Sequence, residues 1–269
     1  EGAREDVSWS RCSATPGLQQ RMRTGHIGFG GNGGSTDIIL SESLTPGSVK
    51  IIGIGKYVGK NADNAGGALI VARDSPIRSF ADLRNARISV MRGTGMEYML
   101  ARTLQKNGIP LSQANLLPLP NAAALAALLT GRVDVWGAWE PQASIILQRR
   151  DVRLLGWLGG HDEQYAIQYA SARSLQNPEK RAAIKDFLQR LAAASVWSEA
   201  HRTEWAEKGS DLLRSDRNIM LQVADHTAIE YGLSHVEMEA ANASFQREAA
   251  FWKQAGKITS LPDMRNIID

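Results

Sequence analysis

One cysteine, Cys12, stands among 269 residues, so no disulfide can close within the chain and the redox compartment stays unread. A lone cysteine is more often a small buried hydrophobe than a nucleophile. Aromatic residues are sparse, at 6%. No apolar run approaches the ~20 residues that a membrane-spanning helix needs, and no leader pattern opens the chain. Neither charge dominates: 31 Lys and Arg face 28 Asp and Glu, for a formal net charge of +3. No basic stretch interleaved with aromatics is present, which excludes the stripe used by nucleic-acid binders. The HExxH, CxxC and GxSxG spacings are missing as well, and His26, His161, His201, His226 and His235 are scattered. Each of these reads as a surface or capping histidine, and His161-Asp162-Glu163 as a solvated turn. No metal, hydrolytic centre or cofactor is expected.

Hydrophobic residues at 43% and charged residues at 22% describe an ordinary globular chain, of a length that fits two modest lobes. The alternation at residues 7–10 predicts a strand, and Pro16 a short helix through Met22. Residues 25–30 read as a strand running into a glycine-rich loop, 30–36. The continuous β-branched runs at 49–54 and 68–72 predict strands buried on both faces, as in parallel sheets. Ser79 followed by Asp82 is a helix-start signature. Strands then alternate with helices: strand 87–91, helix 96–106, strand 115–119, helix 122–129, strand 133–136 and a helix after Pro141. Strands at 154–157 and 165–172 follow, and beyond Pro178 the chain is almost wholly helical, at 179–207, 216–231 and 234–254. This alternation predicts an α/β fold with parallel-rich sheets and right-handed crossovers, flanked by helices.

Three segments fall at the carboxyl ends of predicted parallel strands, where open α/β sheets hold ligands. The first is Gly33, Gly34 and Ser35, and the second is Arg92, Thr94, Gly95 and Met96. In both, glycine and a hydroxyl lead into a helix, so free N–H groups and the positive helix end suit an anion. The first segment lacks the Gly-Lys-Ser/Thr of a P-loop and the spacing of a dinucleotide fingerprint. In the third, Trp136 and Trp139 flank a turn before Glu140, as in the wall of a pocket.

The run from Asp82-Leu83 through Ile88-Ser89-Val90 to Gly93-Thr94-Gly95 resembles the middle of aliphatic-sulfonate, taurine and nitrate binding proteins of ABC importers. Gly131-Arg132-Val133-Asp134-Val135-Trp136-Gly137-Ala138-Trp139-Glu140-Pro141 is similar to that family's most specific stretch. Val7-Ser8-Trp9 onward, and Arg23 to Gly28, resemble its second strand, second helix and third strand, so the resemblance implies that the first βα unit and any signal peptide are missing. Two departures stand out: Gly33-Gly34-Ser35-Thr36 lacks the family's carboxylate and proline, and Gln142 takes the place of a tyrosine.

The resemblance implies a two-lobed, periplasmic-binding-protein-like (type II) fold, with lobe 1 at residues 1–82 plus 169–269 and lobe 2 at 83–168. A small organic anion such as an alkanesulfonate would sit between the lobes, held by the three segments named above. The chain would be a periplasmic monomer without enzymatic activity, delivering its ligand to an ABC permease in the inner membrane. Two alternatives remain open. One is a binding protein for a flat heterocycle, with Trp136 and Trp139 stacking on the ring. The other is a desulfinase-like enzyme that uses Cys12 as nucleophile.

Overall fold

Runs of β-branched and small apolar residues form the centres of two sheets, each inside its own compact unit. The structure, a computed structural model, describes residues 7–10, 15–160 and 165–268. From α1 (Thr15–Arg23) the chain passes through β1 (Phe29–Gly33), α2 (Ser35–Leu44) and β2 (Val49–Tyr57). Next come β3 (Ala68–Ala72), β4 (Arg87–Ser89), α3 (Gly95–Lys106), β5 (Asn115–Leu116), α4 (Asn121–Leu129), β6 (Val135–Ala138), α5 (Gln142–Ile146) and β7 (Val152–Trp157). The remainder is β8 (Tyr165–Ser171), α6 (Ala172–Gln176), α7 (Pro178–Ala200), α8 (Arg202–Leu213), α9 (Arg217–Thr227), β9 (Ile229–Tyr231) and α10 (His235–Gln254).

The first unit holds the described residues up to Lys56, with Tyr165–Trp197 and those from Ile229 onward; the second holds Tyr57–Gln164 and Ser198–Ala228. The division expected from the sequence fell at residue 82. β3 lies in the second unit because it pairs with β6 and β7.

In the first unit the strand order is β1-β8-β2-β9, and in the second it is β5-β4-β6-β3-β7. The second sheet shows how period-two patterning makes a core. Leu69, Val71, Ile88 and Val135 face Met96, Leu100 and Leu104 of α3. On the other face, Ala68, Ile70 and Trp136 pack with Ala124, Ala127 and Leu128 of α4. Each such large aliphatic side chain contributes about 1.5–3 kcal/mol on burial.

Three expectations are corrected. The sheets are mixed rather than parallel-rich throughout: β8 runs antiparallel to both β1 and β2, and β3 antiparallel to both β6 and β7. Parallel pairing joins β4 to β5 and to β6. The inference of parallel direction from the apolar runs at 49–54 and 68–72 failed because two-faced burial comes from what packs on each face, as with Leu69 and Val71 on one side of β3 and Ala68 and Ile70 on the other, and carries no strand direction. Residues 7–10 form no strand; Val7 and Trp9 are exposed, and β1 is the edge of its sheet. The glycine run is itself strand β1 rather than a loop. A Cβ on Gly30 or Gly33 would come within 3.0 or 2.6 Å of the Tyr169 ring, so glycine there makes room for an aromatic on β8. Cys12 and His161-Asp162-Glu163 lie outside the described residues.

Candidate functional site

The candidate residues gather at two helix starts, one in each unit. In the first unit Gly33 ends β1, Gly34 is the N-cap of α2 and Ser35 opens the helix. The first N–H groups of a helix have no partner within it. Here Asp37 returns its carboxylate to the Gly34 N–H at 3.0 Å. A second carboxylate, that of Glu248 on α10, accepts from the hydroxyls of both Ser35 and Thr36. Trp252 Nε1 also donates to Glu248, at 3.3 Å. Ser35 is half-buried, while Thr36 and Glu248 are buried.

In the second unit α3 begins after Thr94, its N-cap. The Thr94 hydroxyl turns away from the helix and donates to the Met91 carbonyl at 2.7 Å. Glu97 accepts from the Gly93 N–H at 2.8 Å. At Gly95, the first helical residue, a Cβ would meet no atom within 4 Å. The helix start is therefore open on that side, and Met96 behind it is fully buried.

Of the remaining candidates, Trp139 packs into the same apolar cluster as Met96, which places the end of β6 beside the start of α3. Gly137 permits this approach, since a Cβ there would lie 2.5 Å from the Met96 sulfur. Trp136 is 1% exposed and belongs to the cluster on the opposite face of the sheet. Arg92 is exposed, with its guanidinium 3.5 Å from the Leu116 carbonyl. The Glu140 side chain is 2% exposed; it accepts from Ser144 N–H at 3.2 Å and Ser144 Oγ at 2.7 Å, and it binds His226 Nδ1.

Two buried groups escaped the sequence reading. His226 on α9 is not a surface residue: besides Glu140 it meets Asn64 Nδ2 through Nε2 at 3.3 Å, and the ring of Trp157 edge-on at 4.6 Å. Glu248 lies on the buried stripe Ala241, Ser244, Phe245, Glu248, Ala249 and Trp252 of α10. A carboxylate at helical spacing inside an apolar stripe was the signal that could have found it. Among the described residues, no group of three or more His, Cys, Asp or Glu is placed to hold a metal ion.

The NMT1/THI5 like family matches over residues 50–197. A putative aliphatic sulfonates-binding protein of Escherichia coli K12 is 29% identical over 149 residues, which is 55% of this chain and 44% of that protein. The chain thus matches under half the length of that relative. The solved structure of the alkanesulfonate-binding protein SsuA from Xanthomonas axonopodis pv. citri bound to MOPS superposes with a TM-score of 0.85 at 19% identity, covering 98% of this chain and 87% of that one. An enzyme shares the fold too: the desulfurization enzyme DSZB gives a TM-score of 0.61 at 18% identity, over 88% of this chain and 81% of that one.

Proposed function

The chain belongs to the NMT1/THI5-like family, and on that premise we propose that it is the solute-binding component of an ABC importer that captures a small organic anion of the alkanesulfonate class. The observation that carries this reading is the open start of α3. Thr94 makes no side-chain cap hydrogen bond there and a Cβ on Gly95 would meet no atom within 4 Å, so the positive helix end keeps room for an anion. Such a site holds a sulfonate through fixed donors and needs no lysine or arginine. At the start of α2 the Ser35 hydroxyl is committed to Glu248, so the donors left to a ligand there are backbone groups. The similarity to an aliphatic sulfonates-binding protein supports the ligand class. Among the described residues no helix is long and apolar enough to cross a membrane, and the chain would act as a periplasmic monomer that hands its ligand to a membrane permease.

A stacked heterocycle is less well served, because Trp136 lies in the core. The fold shared with a desulfurization enzyme carries no activity by itself.

Calorimetric titration with short-chain alkanesulfonates tests the reading on the wild type and on Gly95→Leu, whose side chain would fill the open space. Saturable binding by the wild type and a loss of at least ~10-fold, about 1.4 kcal/mol, in a Gly95→Leu protein of unchanged melting temperature is the expected result. Equal binding by the two proteins, or none by the wild type, would overturn it.

A further inference from the structure

The second sheet has a charged end that the ligand reading leaves unused. Pairing of Arg87 with Asn115, Ile88 with Val135 and Ala72 with Val152 brings the starts of β4, β5, β6 and β7 together with the finish of β3. Arg73 follows β3, Arg87 opens β4, Arg132 precedes β6, and Arg149, Arg150 and Arg153 cluster at the start of β7. Arg78 and Arg84 lie on the connection from β3 to β4. Gly95 and Glu140 follow β4 and β6 at the opposite end.

The acidic residues in these stretches are Asp74, Asp82, Asp134 and Asp151. Eight guanidiniums against four carboxylates leave an excess of four positive charges, more than the +3 of the entire chain. Two pairs close, Arg87 with Asp134 and Arg149 with Asp151, each at 2.6 Å. Other arginines donate to neutral oxygens, which leave their charge uncompensated. Arg73 Nε reaches the Arg150 carbonyl at 3.0 Å, Arg84 the Gly108 carbonyl at 3.0 Å, and Arg153 the carbonyls of Ser75 and Ile77 at 3.0 and 2.6 Å. Burial, then the neighbouring Arg78 and Arg73, hold the Arg153 guanidinium below the ordinary arginine range. Like charges are crowded here at a cost to the free protein.

We infer that this end of the second sheet docks an acidic polypeptide segment, whose carboxylates take the arginine forks. The residue type carries the argument. No lysine occurs in these stretches, and arginine differs from lysine in offering a planar fork that binds carboxylate in a bidentate manner. An anionic bilayer attracts both cations alike. The Arg–Asp pairs at Asp134 and Asp151 also interrupt the positive field. An evenly negative bilayer gains nothing at those neutral points, whereas a polypeptide can place uncharged residues opposite them.

The test uses a dye-labelled peptide of alternating glutamate and alanine, followed by fluorescence anisotropy in about 150 mM salt, where long-range attraction is screened. The full chain is compared with the charge-conserving triple variant Arg73→Lys, Arg78→Lys, Arg150→Lys; all three positions are exposed. Binding by the wild type and a loss of about 10-fold in the variant, at unchanged melting temperature, supports fork recognition. Equal affinity in the variant reduces the effect to general charge attraction and overturns the proposal. Absence of wild-type binding overturns it too, as does co-sedimentation with phosphatidylglycerol vesicles in place of peptide binding.

Discussion

At the start of α2 the protein supplies its own anions: Asp37 takes the Gly34 N–H, and Glu248 takes the hydroxyls of Ser35 and Thr36. At the start of α3 one carboxylate, Glu97, serves the Gly93 N–H, the Thr94 hydroxyl is spent on Met91, and a Cβ on Gly95 would meet no atom within 4 Å. In sequence the two segments look equivalent, each being glycine and a hydroxyl ahead of a helix. The positive field of a helix start is the same in both, and what differs is how much of it the fold has already neutralised. On the proposed reading an external anion would be held at α3, while at α2 the hydroxyls of Ser35 and Thr36 join that helix to Glu248 of α10.

The largest expected effect follows from that joint. Glu248→Ala leaves the Ser35 and Thr36 hydroxyls and the Trp252 indole N–H without their shared acceptor in a buried place. Unfolding in urea should show a loss of about 2–4 kcal/mol. A loss under about 0.5 kcal/mol would break the comparison, since α2 would then be as free as α3.

A pair of glycine substitutions sharpens it at smaller scale. Gly33→Ala drives a methyl to 2.6 Å from the Tyr169 ring and should cost about 1–3 kcal/mol. Gly95→Ala meets nothing within 4 Å and should leave stability within about 0.5 kcal/mol of the wild type, or raise it slightly through the unfolded chain. Thermal melts of the two variants side by side decide this. Equal destabilisation would mean that the start of α3 is as closely packed as the end of β1.

These contrasts mark how far the sequence could be read. The apolar runs at 49–54 and 68–72 and the helices after Gly95 and Ser234 were legible, because period and capping are local properties. Strand direction was not. Leu69 and Ile70 are buried by neighbours far along the chain, and nothing in their own order says which way those neighbours run. The glycines of β1 were legible as a close approach but were assigned to a ligand, when the partner is Tyr169, about 140 positions away in sequence. Trp136 and Trp139, expected together in the wall of one pocket, pack into clusters on opposite faces of the sheet. The commitment of Ser35 to Glu248 spans 213 positions, and no local pattern at α2 reports it.

The smallest effect isolates capping from burial. Asp82 performs at the exposed turn Phe80–Leu83 the service that Asp37 performs for α2: it accepts from the N–H groups of Arg78 and Ser79 at 2.9 Å each, and from the Ser79 hydroxyl at 3.1 Å. Those backbone donors hold its carboxyl below the usual aspartate value. A carboxyl whose folded pKa is depressed stabilises the fold fully above the pKa of the unfolded chain, and that stabilisation fades as the pH falls through the folded value. Asp82→Asn should thus lower the melting temperature slightly at neutral pH, and the gap to the wild type should close below about pH 4. Asparagine keeps the shape and one acceptor, so a gap that persisted in acid would assign the effect to geometry rather than charge. It would then also weaken the claim that carboxylates at α2 differ from open backbone at α3 because of the charge they carry.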